Sequence, residues 1–410
     1  MWHLRSLVLG SLVGLKLVAA ADNLEVNVPR NGKSTPNSKP KALTLPIKII
    51  NTYDTIRLSL GTPPQPVDLL FDTGSDALWV LDPSCAKNCR SAYNFTRSFY
   101  DPHASSTSLS ANTSETVDYL GGTIVGNVWS DKLRIQNVSL PLPQRFISVN
   151  NSSWSSLAAG GFVGLSFKTN SPGRTSIYDT LFQPSILPDH RTGIYLGKTL
   201  STEFNPNPTT NGVVTFGGSE ENKYGTALKW ANVIPSPMSS EYELWRVPVY
   251  GVMTTKNSVN GAVSKSLGVQ AGTSAIFDTG ATSISAPEAI IDALYKFLGL
   301  NYTAIQHGYR PLCSELLALN TSLTLTFDAI NITLTTAELS TPGYTEDKYC
   351  WPPFIPWKSQ NWLIGKNYLK SFYTVWDLGG WNVSVIGDAI PRIGFSYLKD
   401  EYRPNLSANP

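Results

Sequence analysis

From about Leu43 onward the chain is a succession of short alternating or apolar segments broken by Gly, Pro and Asn turns. Thr55-Ile-Arg-Leu-Ser59 alternates apolar with polar, and Val213-Val-Thr-Phe216 is a compact apolar run. Strand side chains point to opposite faces with a period of two, so both patterns predict strands. Helical periodicity is convincing only over Pro287 to Leu298. There Pro287 and Glu288 suit a first turn, and Ile290, Ile291, Leu294 and Phe297 can share one face. The expectation is an all-β protein with a single short helix. At the N-terminus, Arg5 precedes an apolar stretch from Ser6 to Val18 and Ala19-Ala20-Ala21 follows it. A basic start, an apolar middle and small residues predict a signal peptide over residues 1–20. A membrane anchor is disfavoured because the stretch is short and Lys16 interrupts it. Asp22 to Lys41 is rich in Pro, Asn, Ser and Lys, so residues 21–45 are expected to be a pro-segment or flexible arm.

The apolar pattern repeats once on a larger scale. Leu69 to Val80 and Ala275 to Pro287 each carry an apolar strand into an Asp-Thr-Gly loop. Each is followed by a hydrophobic-hydrophobic-Gly element, Phe162-Val-Gly164 and Leu363-Ile-Gly365. Between the halves, Gly, Pro and Ser accumulate around Ile234-Pro-Ser-Pro237, so lobes are expected at 46–235 and 236–410. Each loop offers one acid, Asp72 or Asp278, and 206 residues separate them. Their joint use requires two lobes facing one another across a cleft. A lone Asp-Thr-Gly is ordinary turn chemistry, but two copies in matching strand contexts point to a pair. Two carboxyls held close cannot both ionise cheaply, so one stays protonated while the other acts as a base. Such a pair can activate water and polarise a carbonyl. A Ser-His-Asp site is disfavoured, since His103, His190 and His307 have no Gly-x-Ser-x-Gly partner.

Composition narrows the partners. The 410 residues are 41% hydrophobic, 11% aromatic and 15% charged, with a net charge of +2. No block of Lys and Arg is long enough to track a phosphate backbone, so nucleic acid is not expected. Four cysteines allow three pairings, and the separations favour Cys85 with Cys89 and Cys313 with Cys350. A zinc site would need CxxC spacing or clustered histidines, which the chain lacks, so neither metal nor cofactor is expected. Ten Asn-x-Ser/Thr sequons, at Asn94, Asn112, Asn137, Asn150, Asn151, Asn301, Asn320, Asn331, Asn382 and Asn405, fit a secreted, extracellular glycoprotein. The polar C-terminus, Glu401 to Pro410, carries no hydrophobic tail of a lipid-anchor signal. No membrane attachment is expected, and the protein is expected to be a monomer.

On these motifs the chain resembles the pepsin-like aspartic peptidases over about Tyr53 to Tyr397. Leu60-Gly-Thr-Pro-Pro-Gln65 before the first loop and Leu78-Trp-Val80 after it fit that family in order and spacing. Tyr119-Leu-Gly-Gly-Thr-Ile-Val-Gly126 resembles its flap hairpin. The resemblance implies a bilobal pepsin-like fold, Asp72 and Asp278 as catalytic acids, and Thr73, Gly74, Ser75, Thr279 and Gly280 as their support. It implies that Tyr119 closes over substrate and hydrogen-bonds toward Trp79, with Gly121, Gly122 and Thr123 at the mobile tip. Leu70 and Phe162 match positions lining a central pocket, implying a bulky apolar residue at the scissile bond; Phe162 could equally be core. Gly161-Phe-Val-Gly-Leu165 and Trp362-Leu-Ile-Gly365 resemble elements that pass beneath each Asp loop.

The departures from the family pattern bear on the proton. The residue after each Asp-Thr-Gly is usually Ser or Thr, whose hydroxyl donates to the outer carboxylate oxygen; Ser75 fits and Ala281 cannot. Loss of that donor is expected to raise the lower apparent pKa of the pair and make the optimum less acidic. Asp76 and Leu120 also depart, and Asp76 is expected to be a surface carboxylate. The leading expectation is a secreted aspartic endopeptidase, made as a zymogen, acting on extended peptides or unfolded proteins. In a zymogen Lys33, Lys39, Lys41 or Lys48 could pair with the two acids. The rivals are a catalytically inactive binding or inhibitor protein on the same fold, and a carbohydrate-binding or structural surface protein.

Overall fold

The computed structural model describes residues 41–50, 53–89, 96–167, 175–182, 186–198, 209–328, 330–341, 348–379 and 390–404. The signal peptide expected over 1–20 and nearly all of the arm lie outside these residues. In the first half the strands are β1 (Leu43–Ile50), β2 (Tyr53–Leu60), β3 (Gln65–Asp72), β4 (Leu78–Leu81), β5 (Leu109–Tyr119), β6 (Gly122–Ile135), β7 (Val138–Ser152), β8 (Gly161–Gly164), β9 (Arg191–Tyr195) and β10 (Thr209–Phe216). β11 (Lys229–Asn232) closes the first half, and the second continues with β12 (Arg246–Pro248), β13 (Gly251–Ser258), β14 (Gly261–Leu267), β15 (Ser274–Asp278), β16 (Ile284–Pro287), β17 (Thr321–Thr326), β18 (Asn331–Thr335), β19 (Phe354–Trp357), β20 (Trp362–Gly365), β21 (Phe372–Asp377) and β22 (Arg392–Tyr397).

The all-β expectation holds, and the bilobal pepsin-like class with it. The strand pattern begins at Leu43, where the sequence alternation begins. Leu43, Leu45, Ile47 and Ile49 are all buried on one face of β1, so the alternation that makes the strand already starts at Leu43. A single helix is too few. Besides Glu288–Phe297, whose Ile291 and Leu294 are buried as its periodicity requires, the described residues hold six short helices. These run four to six residues, among them Lys366–Leu369, too short to show a 3.6-residue period.

Strands from both halves share one thirteen-stranded sheet, in which β21 pairs with β9 and β22 with β11. Two smaller sheets, of five strands (β12, β15, β20, β16, β19) and four (β14, β13, β17, β18), belong to the second half. The repeat read in the sequence is visible as two matched strand triplets. β8 runs parallel to β3, with Asp72 opposite Gly164, and antiparallel to β4. β20 runs parallel to β15, with Asp278 opposite Gly365, and antiparallel to β16.

Both glycines are demanded by close backbone approach. A Cβ on Gly164 would lie 2.5 Å from the carbonyl carbon of Asp76, and one on Gly365 would lie 2.5 Å from the carbonyl oxygen of Ser283. The strands therefore thread under the Asp loops and tie them down. Leu165 N–H donates to Asp72 O at 2.7 Å, and Lys366 N–H donates to Ala281 O at 2.8 Å.

Candidate active site

Each Asp is the last residue of a buried strand. Leu69, Leu70 and Phe71 are buried behind Asp72, and Ala275, Ile276 and Phe277 behind Asp278, so neither carboxyl can wander. In the first loop Gly74 N–H donates to Asp72 Oδ1 at 2.9 Å and Ser75 Oγ to Oδ2 at 2.6 Å. In the second, Gly280 N–H and Ala281 N–H both donate to Asp278 Oδ1, at 2.7 and 3.2 Å. The missing hydroxyl at Ala281 is thus partly offset by its backbone, but both N–H donors converge on one oxygen.

The two threonines lock the loops together. Thr279 N–H donates to Thr73 Oγ1 at 2.9 Å and Thr73 N–H to Thr279 Oγ1 at 3.1 Å. Each hydroxyl then donates across to the opposite strand, Thr73 to Phe277 O at 3.0 Å and Thr279 to Phe71 O at 2.9 Å. Their side chains are buried, so these four bonds are shielded from water. A Cβ on Gly74 would lie 2.5 Å from Asp278 Cγ, and one on Gly280 would lie 2.5 Å from Asp72 Oδ1. Each carboxyl therefore sits against the glycine of the other loop, as the sequence spacing required.

This crowding decides where a proton rests. Asp278 retains some accessible surface, yet protein surrounds its carboxyl closely. Burial, followed by the charge of Asp72 and a hydrogen bond with it, pushes the Asp278 pKa well above the usual carboxylate range. The Gly280 and Ala281 N–H groups oppose the shift without cancelling it. The Tyr119 hydroxyl is pushed up as well, chiefly by burial and then by the Asp72 charge, so it remains a neutral donor and acceptor.

The residues expected at the flap and pocket come together around Asp72. Trp79 Nε1–H donates to the Tyr119 hydroxyl at 2.9 Å, the bond the resemblance implied. Phe162 stacks on Trp79 with ring centroids 4.7 Å apart and lies 5.4 Å from Tyr119. Leu70 pairs with Phe162 across β3 and β8, and both are buried, Phe162 at 4% exposure. Gly121 closes the hairpin, and Gly122 and Thr123 open β6.

Sequence reasoning missed Trp154, which packs 6.2 Å from Tyr119 and 5.5 Å from Phe162. The available signal was an aromatic residue shortly before the Gly161-Phe-Val-Gly element. Asp76 is a correction: it is buried, 6% exposed, because the chain turns inward between the Asp72 loop and β4. Its charge also contributes to raising the Tyr119 pKa.

Other features lie away from the two loops. Cys85 bonds to Cys89 and Cys313 to Cys350. Asn112, Asn137, Asn151, Asn301, Asn320 and Asn331 are exposed and Asn150 is half-buried, while Asn94, Asn382 and Asn405 lie outside the described residues. Lys48 lies on β1, paired with Thr55 and Thr210. Among the described residues no helix is long and apolar enough to cross a membrane.

Two strand-borne Asp-Thr-Gly loops, cross-tied through their threonines under a Tyr-bearing hairpin, define the architecture of an aspartic-type endopeptidase. The sequence profile of the eukaryotic aspartyl protease family matches residues 53–386, and the chain belongs to that family. Among its relatives, "Major aspartyl peptidase 1" of Cryptococcus neoformans var. grubii is 24% identical over 348 residues, covering 81% of this chain and 67% of the relative. "Cathepsin E" of Aquarana catesbeiana is 24% identical over 330 residues, 79% of this chain and 76% of the relative. "Gastricsin" of Suncus murinus is 26% identical over 333 residues, 78% of each. Peptides are accordingly its class of substrate.

Proposed function

We propose that the chain is a secreted endopeptidase that cleaves peptide bonds at acidic pH with Asp72 and Asp278 as its catalytic pair. The observation that carries this reading is that the two carboxyls, each set against the other's glycine, share a site in which Asp278 is pushed to hold the proton. Asp72, accepting from Gly74 and Ser75, serves as the base that takes a proton from a water held between the acids. Protonated Asp278 polarises the scissile carbonyl as the water oxygen bonds to its carbon. The resulting tetrahedral intermediate collapses when the amide nitrogen takes up the proton that Asp72 removed from the water, the C–N bond breaks, and the pair is left with its single proton on Asp278. Thr73, Gly74, Ser75, Thr279 and Gly280 keep the pair in register.

Substrate is an extended peptide or unfolded protein, lying as an added strand beneath the flap residues Tyr119, Gly121, Gly122 and Thr123. Trp79, Phe162 and Leu70 back the pocket for a bulky apolar side chain at the scissile bond. The leader at 1–20, the two disulfides and the exposed sequons support secretion as a glycoprotein. Residues 21–45 then serve as a pro-segment of a zymogen, with lobes at 46–235 and 236–410 in a monomer. The test is cleavage of a denatured protein from strongly acidic to neutral pH by the secreted chain, with Asp72→Asn, Asp278→Asn and pepstatin as controls. Acid-dependent cleavage lost in all three controls is expected. Folded, processed protein that cleaves nothing at any pH overturns the reading in favour of a binding protein.

A further inference from the structure

The flap hairpin does not stand free. Its tip rests on the segment that follows β7. A Cβ on Gly121 would lie 2.3 Å from Trp154 Cη2, and one on Gly122 would lie 2.9 Å from both Trp154 Cδ1 and Nε1. Two successive residues without side chains thus let the indole approach the flap backbone more closely than a pair carrying Cβ atoms would allow without a shift. Beside it the backbone is stitched: Ser153 N–H donates to Thr123 O at 2.9 Å, and Thr123 N–H donates to Ser153 Oγ at 2.8 Å. The Trp154 indole N–H is buried and finds no acceptor on the protein. Its orientation is therefore set by packing against the flap and Phe162 rather than by a hydrogen bond.

We infer that Trp154, with Ser153, is a latch that holds the flap over Asp72, and that Trp154 is a positioning residue for the reaction; this rests on the peptidase reading above. Tyr119 is fixed at its hydroxyl by Trp79. The register of the hairpin tip, which follows Tyr119 directly, is fixed by Trp154 and Ser153. Opening the flap to admit a peptide must lift Gly121 and Gly122 off the indole and break the Ser153–Thr123 pair. Re-forming both contacts closes the site with Tyr119 at its working position. An indole that merely filled space would have no reason to face two glycines at the tip of the one hairpin that must move.

The test uses the full secreted chain. In the free protein, amide hydrogen exchange across residues 119–124 reports latch opening without reference to catalysis. Trp154→Ala and Ser153→Ala are each expected to accelerate exchange at Thr123 about tenfold, whereas Trp154→Phe, which keeps a flat ring, stays near wild type. Ser153→Ala also removes the hydroxyl of the Asn151 sequon, so Asn151→Gln, which keeps Ser153, is the control and should leave exchange unchanged. Per titrated active site, pepstatin should dissociate about tenfold faster from Trp154→Ala, with kcat lowered more than KM is raised. Unchanged exchange in both alanine variants, or faster exchange with unaltered inhibitor release, overturns the inference. Because the exchange arm needs no turnover, a wild type that cleaves nothing defeats the peptidase reading and leaves the latch separately measurable.

Discussion

Replacing Ala281 by Thr tests the proton arrangement most directly. Ser75 Oγ donates to Asp72 Oδ2 at 2.6 Å, while the corresponding position beside Asp278 carries only a methyl group. A threonine hydroxyl there would reach the Asp278 oxygen that the two N–H donors leave aside. A hydrogen bond to an ionised group contributes about 1.5–3 kcal/mol. At about 1.4 kcal/mol per pKa unit, and with the site open to the cleft, the lower end applies and the shift is roughly one unit. The donor favours the charged form, so the Asp278 pKa falls. Asp278 must be protonated to polarise the substrate, and activity is lost as pH rises through its pKa. The alkaline limb of kcat/KM should therefore move down by about one unit in Ala281→Thr. The sequence alone assigns the effect to the lower apparent pKa of the pair. The structure moves it to the upper one, because Asp278 is the carboxyl raised by burial and by Asp72. The assay is kcat/KM on a quenched peptide across the pH range, with Ala281→Val as the isostere lacking a hydroxyl. An unmoved or raised alkaline limb, or an equal shift in Ala281→Val, refutes the reasoning.

Three further outcomes are expected. Lys366 Nζ lies 3.2 Å from Asp54 Oδ2 in a buried pair, and beside it burial pushes Lys370 down to about 8, with Asp54 opposing and the Lys366 charge assisting. For a depressed lysine the stabilising contribution is present above its unfolded value and lost as pH falls through about 8. Lys370→Met should then stabilise the fold by up to about 3 kcal/mol near pH 5 and by less near pH 10, read as melting temperatures; a gain that grows with pH contradicts this. Opening the Cys313–Cys350 bridge, of sequence separation 37, by a double Ser substitution should cost about 4 kcal/mol in denaturant unfolding, and an unchanged midpoint contradicts it. Gly365→Ala, whose Cβ would meet main-chain oxygens of Ser283 and Ala281 at 2.5 and 2.8 Å, should lower stability by about 1–3 kcal/mol. It should also lower kcat by displacing Ala281, and full activity on a stable variant contradicts that.

What was legible in the sequence is what local chemistry decides. Asp-Thr-Gly after an apolar strand dictates a turn with backbone donors to the carboxylate, and its duplication gave both halves of the site before any coordinates. Leu43, Leu45, Ile47 and Ile49 alternate as a strand must, and all four are buried on one face of β1. Asp76 was illegible because neither a period of two nor its own polarity reveals that the chain turns inward after Ser75. The one-turn helix at Lys366–Leu369 leaves no periodic trace, and the pairing of β21 with β9 joins segments far apart in the chain. Trp154 is a contact of the same kind: nothing near Ser153 announces that its indole will meet Gly121 and Gly122.

The difference between Ser75 and Ala281 shows why the paired loops cannot be equivalent. Two identical loops related by an exact symmetry would share the proton evenly and leave its direction to the substrate. Here the threonine cross-ties are symmetric, with all four bonds between 2.9 and 3.1 Å, so the backbone frame does not favour either acid. The bias comes first from burial of Asp278 and then from the charge of Asp72, and the hydrogen-bond donors do not offset it evenly. Asp72 receives donors on both oxygens, whereas the two N–H groups near Asp278 crowd onto Oδ1. Burial and the Asp72 charge thus send the proton to Asp278 before substrate arrives, and no hydroxyl at Ala281 opposes them. The flap is built on the other side, where Tyr119 approaches closely enough to feel the Asp72 charge. The raised acid and the flap thus come from different halves of the chain, Asp278 from the second Asp-Thr-Gly loop and Tyr119 from the hairpin of β5 and β6.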